Sequence, residues 1–84
     1  MNPGDIIKTS YNTGPYIIVK VTQTQDGLIH LTLKAALTDD PRAKRQTYWI
    51  NNIQRVDDRW IANGRDEIYI IQESSAEPIQ LRLF

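Results

Sequence analysis

The stretch YIIVKVTQTQDGLIHLTLKAAL, running from Tyr16 to Leu37, decides the fold. Ile17, Val19 and Val21 alternate with Ile18, Lys20 and Thr22. Past Asp26-Gly27 the alternation resumes, with Ile29, Leu31, Leu33 and Ala35 set against His30, Thr32, Lys34 and Ala36. Two period-2 runs on either side of an Asp-Gly pair predict an antiparallel hairpin. A two-residue loop would put Val21 opposite Thr32 and Val19 opposite Lys34, matching each apolar row with a polar one. Because side chains alternate with period 2, such a slip moves a whole apolar set to the wrong face. A three-residue loop, Gln25-Asp26-Gly27, instead pairs Val21 with Leu31, Val19 with Leu33 and Ile17 with Ala35. Gly27 then takes the left-handed position, which glycine adopts without a Cβ penalty. The opposite face carries Lys20, Thr22, Thr24, His30, Thr32 and Lys34, with Ile18 and Leu28 as its large apolar exceptions. One buried and one wet face is the pattern of an antiparallel sheet.

Working outward, Pro3-Gly4-Asp5 reads as a turn and Ile6-Ile7-Lys8-Thr9 as a short first strand, followed by a turn at Asn12-Thr13-Gly14-Pro15. Downstream, Thr38-Asp39-Asp40-Pro41 supplies an acidic cap and a proline at the start of a single helical turn near 41–45. Tyr48-Trp49-Ile50 predicts a strand ended by Asn51-Asn52, with Ile53 and Val56 continuing an apolar row to a turn at Asp57-Asp58. Trp60-Ile61 and Ile68-Tyr69-Ile70-Ile71 form a second hairpin around Asn63-Gly64. Its strands are apolar on both faces, as expected of a strand central to a closing barrel or covered on its second side. Gln72 to Pro78 reads as a loop and Ile79 to Phe84 as a last alternating strand. The expected fold is all-β: one domain spanning 1–84, a small antiparallel barrel or strongly bent sheet.

Composition narrows the function. Ten basic and ten acidic side chains cancel, so no single-signed field steers the whole molecule toward nucleic acid, anionic membrane or acidic substrate. A local basic patch is compatible with that balance. No cysteine is present, which removes disulfides and thiolate zinc sites. No apolar run approaches a membrane span and the N-terminus does not read as a signal peptide, so we expect a cytoplasmic protein that does not enter membranes.

The run Gly4-Asp5-Ile6-Ile7-Lys8-Thr9-Ser10-Tyr11, with Thr13-Gly14-Pro15-Tyr16, resembles the opening of KOW and other Src-homology-3-like small barrels. It also looks like a run found in small proteins of phages and mobile elements. Ile29-His30-Leu31-Thr32-Leu33, Tyr48-Trp49-Ile50-Asn51 and Asp66-Glu67-Ile68 are similar to later segments of that group. The resemblance implies a small barrel and a mobile-genetic-element setting, and no mechanism. The chain departs from the KOW pattern in lacking that motif's basic, glycine-rich loop.

No catalytic constellation stands out. Ser10, Ser74 and Ser75 lack a nucleophile-elbow context, and His30, the only histidine, falls on the wet strand face across from Thr22 without an orienting carboxylate. The pairs Asp39-Asp40, Asp57-Asp58 and Asp66-Glu67 read as solvated turn residues and match neither a calcium loop nor a zinc signature. Gly14 and Gly27 lack the lysine and second glycine of a phosphate loop. We therefore expect no enzyme, no cofactor and no metal.

Binding is the better expectation. Arg42, Lys44 and Arg45 form the one dense basic cluster, and Tyr48 and Trp49, as strand neighbours, must point to opposite faces. The outward ring is placed to stack on a base or grip a peptide. Tyr11 and Tyr16 flank the 12–15 turn as a second candidate surface. The expected partner is a protein or a nucleic acid. The alternative is a homodimer, paired through the Ile68–Ile71 hairpin or the strand Ile79–Phe84, with a small ligand or simple chemistry in its inter-subunit cleft.

Overall fold

The hairpin opens as expected and then changes phase. The structure, a computed structural model, describes residues 1–11 and 14–74. The strands are β1 (Ile6–Thr9), β2 (Tyr16–Gln23), β3 (Ile29–Ala35), β4 (Tyr48–Val56), β5 (Arg59–Ala62) and β6 (Asp66–Gln72), with a helical turn α1 (Pro41–Arg45) between β3 and β4. Next to the β2–β3 turn, Val21 pairs with Leu31 and Thr22 with His30. The Thr24 N–H donates to the Leu28 carbonyl at 2.9 Å and the Gly27 N–H to the Thr24 carbonyl at 3.0 Å, closing the three-residue loop. Gly27 has φ +88°, and a Cβ there would touch nothing, so backbone angle and not space demands the glycine.

Beyond Lys20 the expected pairing fails. A bulge at Val19 sets Ile18 opposite Leu33, Ile17 opposite Lys34 and Tyr16 opposite Ala35, instead of Val19 with Leu33 and Ile17 with Ala35. Ile18 is 2% exposed and Val19 50%. One extra residue inverts every side chain beyond it and bends the strand. Past the bend the first half of β2 pairs with β1 on one side, Ile7 to Tyr16, and with β3 on the other, while the described pairs of its second half are with β3 alone. Burying isoleucine in place of valine adds a methylene to the core, worth about 0.8 kcal/mol.

A second bulge corrects the reading of Asn51-Asn52. They do not end a strand; β4 runs unbroken from Tyr48 to Val56. Leu31 pairs with Ile50 and Ile29 with Ile53, so two residues of β4 stand opposite His30 alone. Asn52 sits at φ +58°, a conformation asparagine tolerates better than most residues. Its N–H donates to His30 Nδ1 at 3.3 Å, and its side-chain amide to Asn63 Oδ1 at 3.0 Å. Asp57 and Asp58, at φ +50° and +65°, then form a two-residue turn of the mirror-image type that matches strand twist, closing the Val56–Arg59 pair. The hairpin expected around Asn63-Gly64 follows, with Trp60 opposite Ile68 and Ala62 opposite Asp66.

Closure comes from β6 returning to β1, where Ile7 pairs with Ile70, Lys8 with Tyr69 and Thr9 with Ile68. The six strands make one closed antiparallel barrel in chain order. Ile7, Ile18, Leu31, Leu33, Ile50, Ile53, Ala62 and Ile68 fill its interior. The turn before β1 and the residues just after β6 meet at one point. The buried Asp5 carboxylate accepts the Asn2 N–H at 2.9 Å and the Ser74 N–H at 2.7 Å. Gly4 fits there at φ +95° because a Cβ would stand 2.7 Å from Ser74 Oγ. Helix α1 is capped as the sequence indicates: the Asp40 carboxylate accepts the Arg42 N–H at 2.9 Å, with Pro41 in the first turn. Among the described residues no helix is long and apolar enough to cross a membrane. The strand expected at Ile79–Phe84 lies outside the described residues.

Candidate functional site

Alternation along β4 decides which ring of the Tyr48-Trp49 pair faces out. Tyr48 turns inward, half-buried, its ring 5.1 Å from that of Tyr16 at 44° and its hydroxyl donating to Gln46 Oε1 at 2.8 Å. Trp49 turns outward and is 63% exposed. The two tyrosines are therefore packing residues, and they line a groove of 390 Å³ at one end of the barrel, beside Ala43 of α1. Tyr11 is exposed on the β1–β6 side, next to Ser10, whose N–H donates to the Glu67 carbonyl at 2.8 Å.

Register builds a row around the indole. Trp49 pairs with Thr32, and Thr32 with Lys20, so these three side chains stand side by side on the outer face of β2, β3 and β4. With strands about 4.8 Å apart, Lys20 and Trp49 are about 10 Å apart along the row. Lys34, two residues on from Thr32, lies on the same face. Its ammonium donates to Thr47 Oγ1 at 3.0 Å and to the Arg45 carbonyl at 3.3 Å. That contact ties the end of α1, with Arg42, Lys44 and Arg45, to the edge of this face. Arg42, Lys44 and Arg45 are exposed and α1 buries no residue.

The electrostatics of this face are one-sided. Strands β2, β3 and β4 contain no aspartate or glutamate, and they carry Lys20, Lys34, Arg55 and His30. The described acids lie elsewhere: Asp5 before β1, Asp26, Asp39, Asp40, Asp57 and Asp58 in turns and connections, Asp66 and Glu67 on β6, and Glu73 just after it. The described ion pairs, Arg55–Asp58, Arg59–Glu67 and Arg65–Asp66, are also outside the Lys20–Trp49 row. Sequence reasoning named Trp49 and the α1 cations but not Lys20 and Lys34 as site residues. The signal that would have found them is the lack of any carboxylate in three successive strands.

His30 spends Nδ1 on the Asn52 N–H, and Ser10 Oγ accepts the Glu67 N–H at 2.9 Å. Among the described residues no three His, Cys, Asp or Glu side chains come together as metal ligands would. The Asp26 carboxyl is held below the ordinary aspartate range, first by the Thr24 hydroxyl hydrogen-bonded to it, then by its own backbone N–H, with His30 adding a smaller electrostatic pull. This is turn chemistry and serves the hairpin.

The fold and the site together define a small closed β-barrel with an aromatic, basic outer face. No protein-family model, curated protein or solved structure matches the chain.

Proposed function

We infer that the chain is a non-catalytic binding module that recognises nucleic acid through the outer face of β2, β3 and β4. One observation carries the reading: an indole left 63% exposed in register with a lysine, on three strands without a carboxylate. Phosphate contacts need cations and are weakened by nearby anions, and base contacts need an aromatic or hydrogen-bonding surface. This face offers both, and Thr32, Asn51 and Asn52 add polar groups beside the ring. The cations stand on strands and on α1, so the missing basic loop of the KOW pattern does not remove the binding surface. The resemblance of the opening residues to small phage and mobile-element proteins supplies a setting, a cytoplasmic module of a mobile genetic element.

The test is fluorescence anisotropy with labelled DNA and RNA, single- and double-stranded, at low salt. Binding should weaken on Lys20→Ala and again when Arg42, Lys44 and Arg45 are replaced by Ala. Undetectable binding to all four probes at low salt ends the reading.

A second reading is self-association, favoured by a different observation. Tyr69 and Ile71 of β6 are 44% and 49% exposed on the outside of the barrel, and Val19 is exposed at its bulge. In this reading two copies bury these side chains and hold a small ligand between them. A monomeric mass by sedimentation at micromolar concentration removes it.

A further inference from the structure

We propose that the Trp49 face takes single-stranded nucleic acid, with one unpaired base stacked on the indole and the backbone passing Lys20 and Lys34. This rests on the nucleic-acid reading above and adds the form of the ligand.

The argument starts from what an exposed indole can do. Its two uses toward nucleic acid are wedging and stacking, and stacking requires a base whose π-face is open. In a duplex those faces are covered by neighbouring base pairs, so a duplex ligand would use the lysines and leave the ring idle. Trp49 is paired with Thr32 near the start of β4 and followed by Ile50 in the core, so its backbone is fixed before any ligand arrives. Little ordering is then needed on binding.

Charge gives the second constraint. The chain has no net charge, so long-range attraction cannot supply the affinity duplex binders draw from many phosphates. Three cations stand on or at the edge of this face: Lys20 in the Trp49 row, Lys34 two residues on from Thr32, and Arg45, whose backbone carbonyl accepts from the Lys34 ammonium, at the end of α1. Lys34 has three protons and two acceptors, which leaves one proton and the whole charge for a phosphate. Asp39 and Asp40 precede the cationic turn, and Asp40 is occupied as its cap, so α1 contributes less than its three cations suggest. A few phosphate contacts and one stacked base describe a short single-stranded site.

The experiment titrates an unlabelled oligo(dT) and a duplex of equal length into the Trp60→Phe protein, where Trp49 is the remaining indole. Anisotropy with labelled strands runs alongside on the unmodified chain. The expected result is quenched Trp49 emission, single-strand affinity at least tenfold above duplex, and a log–log salt slope of about −2, as three phosphate contacts give on a single strand. Trp49→Ala should lose about tenfold or more in single-strand affinity and Trp49→Phe should recover part of it. Circular dichroism confirms that both variants fold. Equal or tighter duplex binding, or Trp49→Ala without effect while Lys20→Ala weakens binding, overturns this inference and leaves the nucleic-acid reading standing. Loss of all binding at low salt overturns both and turns Trp49 toward a protein partner.

Discussion

The two sides of the barrel solve the same structural problem with opposite chemistry. On β2, β3 and β4 the outer face is largely polar and free of carboxylates, and Trp49 is its largest exposed apolar side chain, with Val19 and Val56 also exposed. On β5, β6 and β1 the outer face mixes apolar side chains, Tyr69 and Ile71, with paired charges such as Arg59–Glu67 at 3.5 Å. Both cover the same core, so the fold does not require the difference. A protein with zero net charge has thus kept its acids off five of its six strands, with β6 alone carrying two, Asp66 and Glu67, on the far side from Trp49. Net charge averages over such segregation and conceals it, which is why composition alone excluded a global field and not a local one.

Variants can break that comparison at several levels. The largest effect belongs to the layer that both sides share: Leu33→Ala should lower stability by about 2–5 kcal/mol in urea unfolding, since Leu33 is fully buried. Both faces should fail together. Next comes the contrast between faces. Trp49→Ala should weaken nucleic-acid binding by about 1–3 kcal/mol, whereas Tyr69→Ala on the far side should leave it unchanged in the same titration. Equal losses from the two would mean that the sides are not functionally distinct.

Gly27→Ala acts on the turn that joins β2 to β3, and should cost about 1–2 kcal/mol in thermal unfolding because alanine is strained at φ +88°. Binding measured well below the melting temperature should survive it. The smallest effect is that of Asp26. Its folded-state pKa lies below the unfolded value, so its contribution to stability is fully present above the unfolded aspartate pKa and fades as pH falls through the depressed one. Unfolding of the native protein should therefore show an acid-side loss that Asp26→Asn makes shallower.

The sequence was most readable where geometry left one choice. The Asp26-Gly27 turn allows a single parity near the loop, and Val21–Leu31 and Thr22–His30 follow from it. The helical turn was equally plain, because Asp40 and Pro41 can each do little else in that order. Phase was lost at Ile17-Ile18-Val19, three successive β-branched residues that suit either face equally well. Closure of the barrel, a long-range demand, made the choice by inserting a bulge. Asn51-Asn52 misled for a related reason: residues that tolerate a left-handed backbone mark turns and bulges alike. Tertiary pairing on both sides of β4 selected the bulge.

The candidate site was readable in part. That Tyr48 and Trp49 part company follows from strand geometry, but which one is outward depends on the neighbours' register. Lys20 and Lys34 were on the wet face from the outset. Their partnership with Trp49 needed the β3–β4 pairing, which joins residues 15 and 17 positions apart, Leu33–Tyr48 and Thr32–Trp49. Tyr16 looked like a loop-flanking surface residue, and the Val19 bulge turned it onto Tyr48.

The Asp5 carboxylate, held between the Asn2 and Ser74 amides, has an architectural consequence. It ties the turn before β1 to the residues just after β6, the two strands whose pairing closes the barrel. One buried side chain thus latches the seam between the first strand and the last.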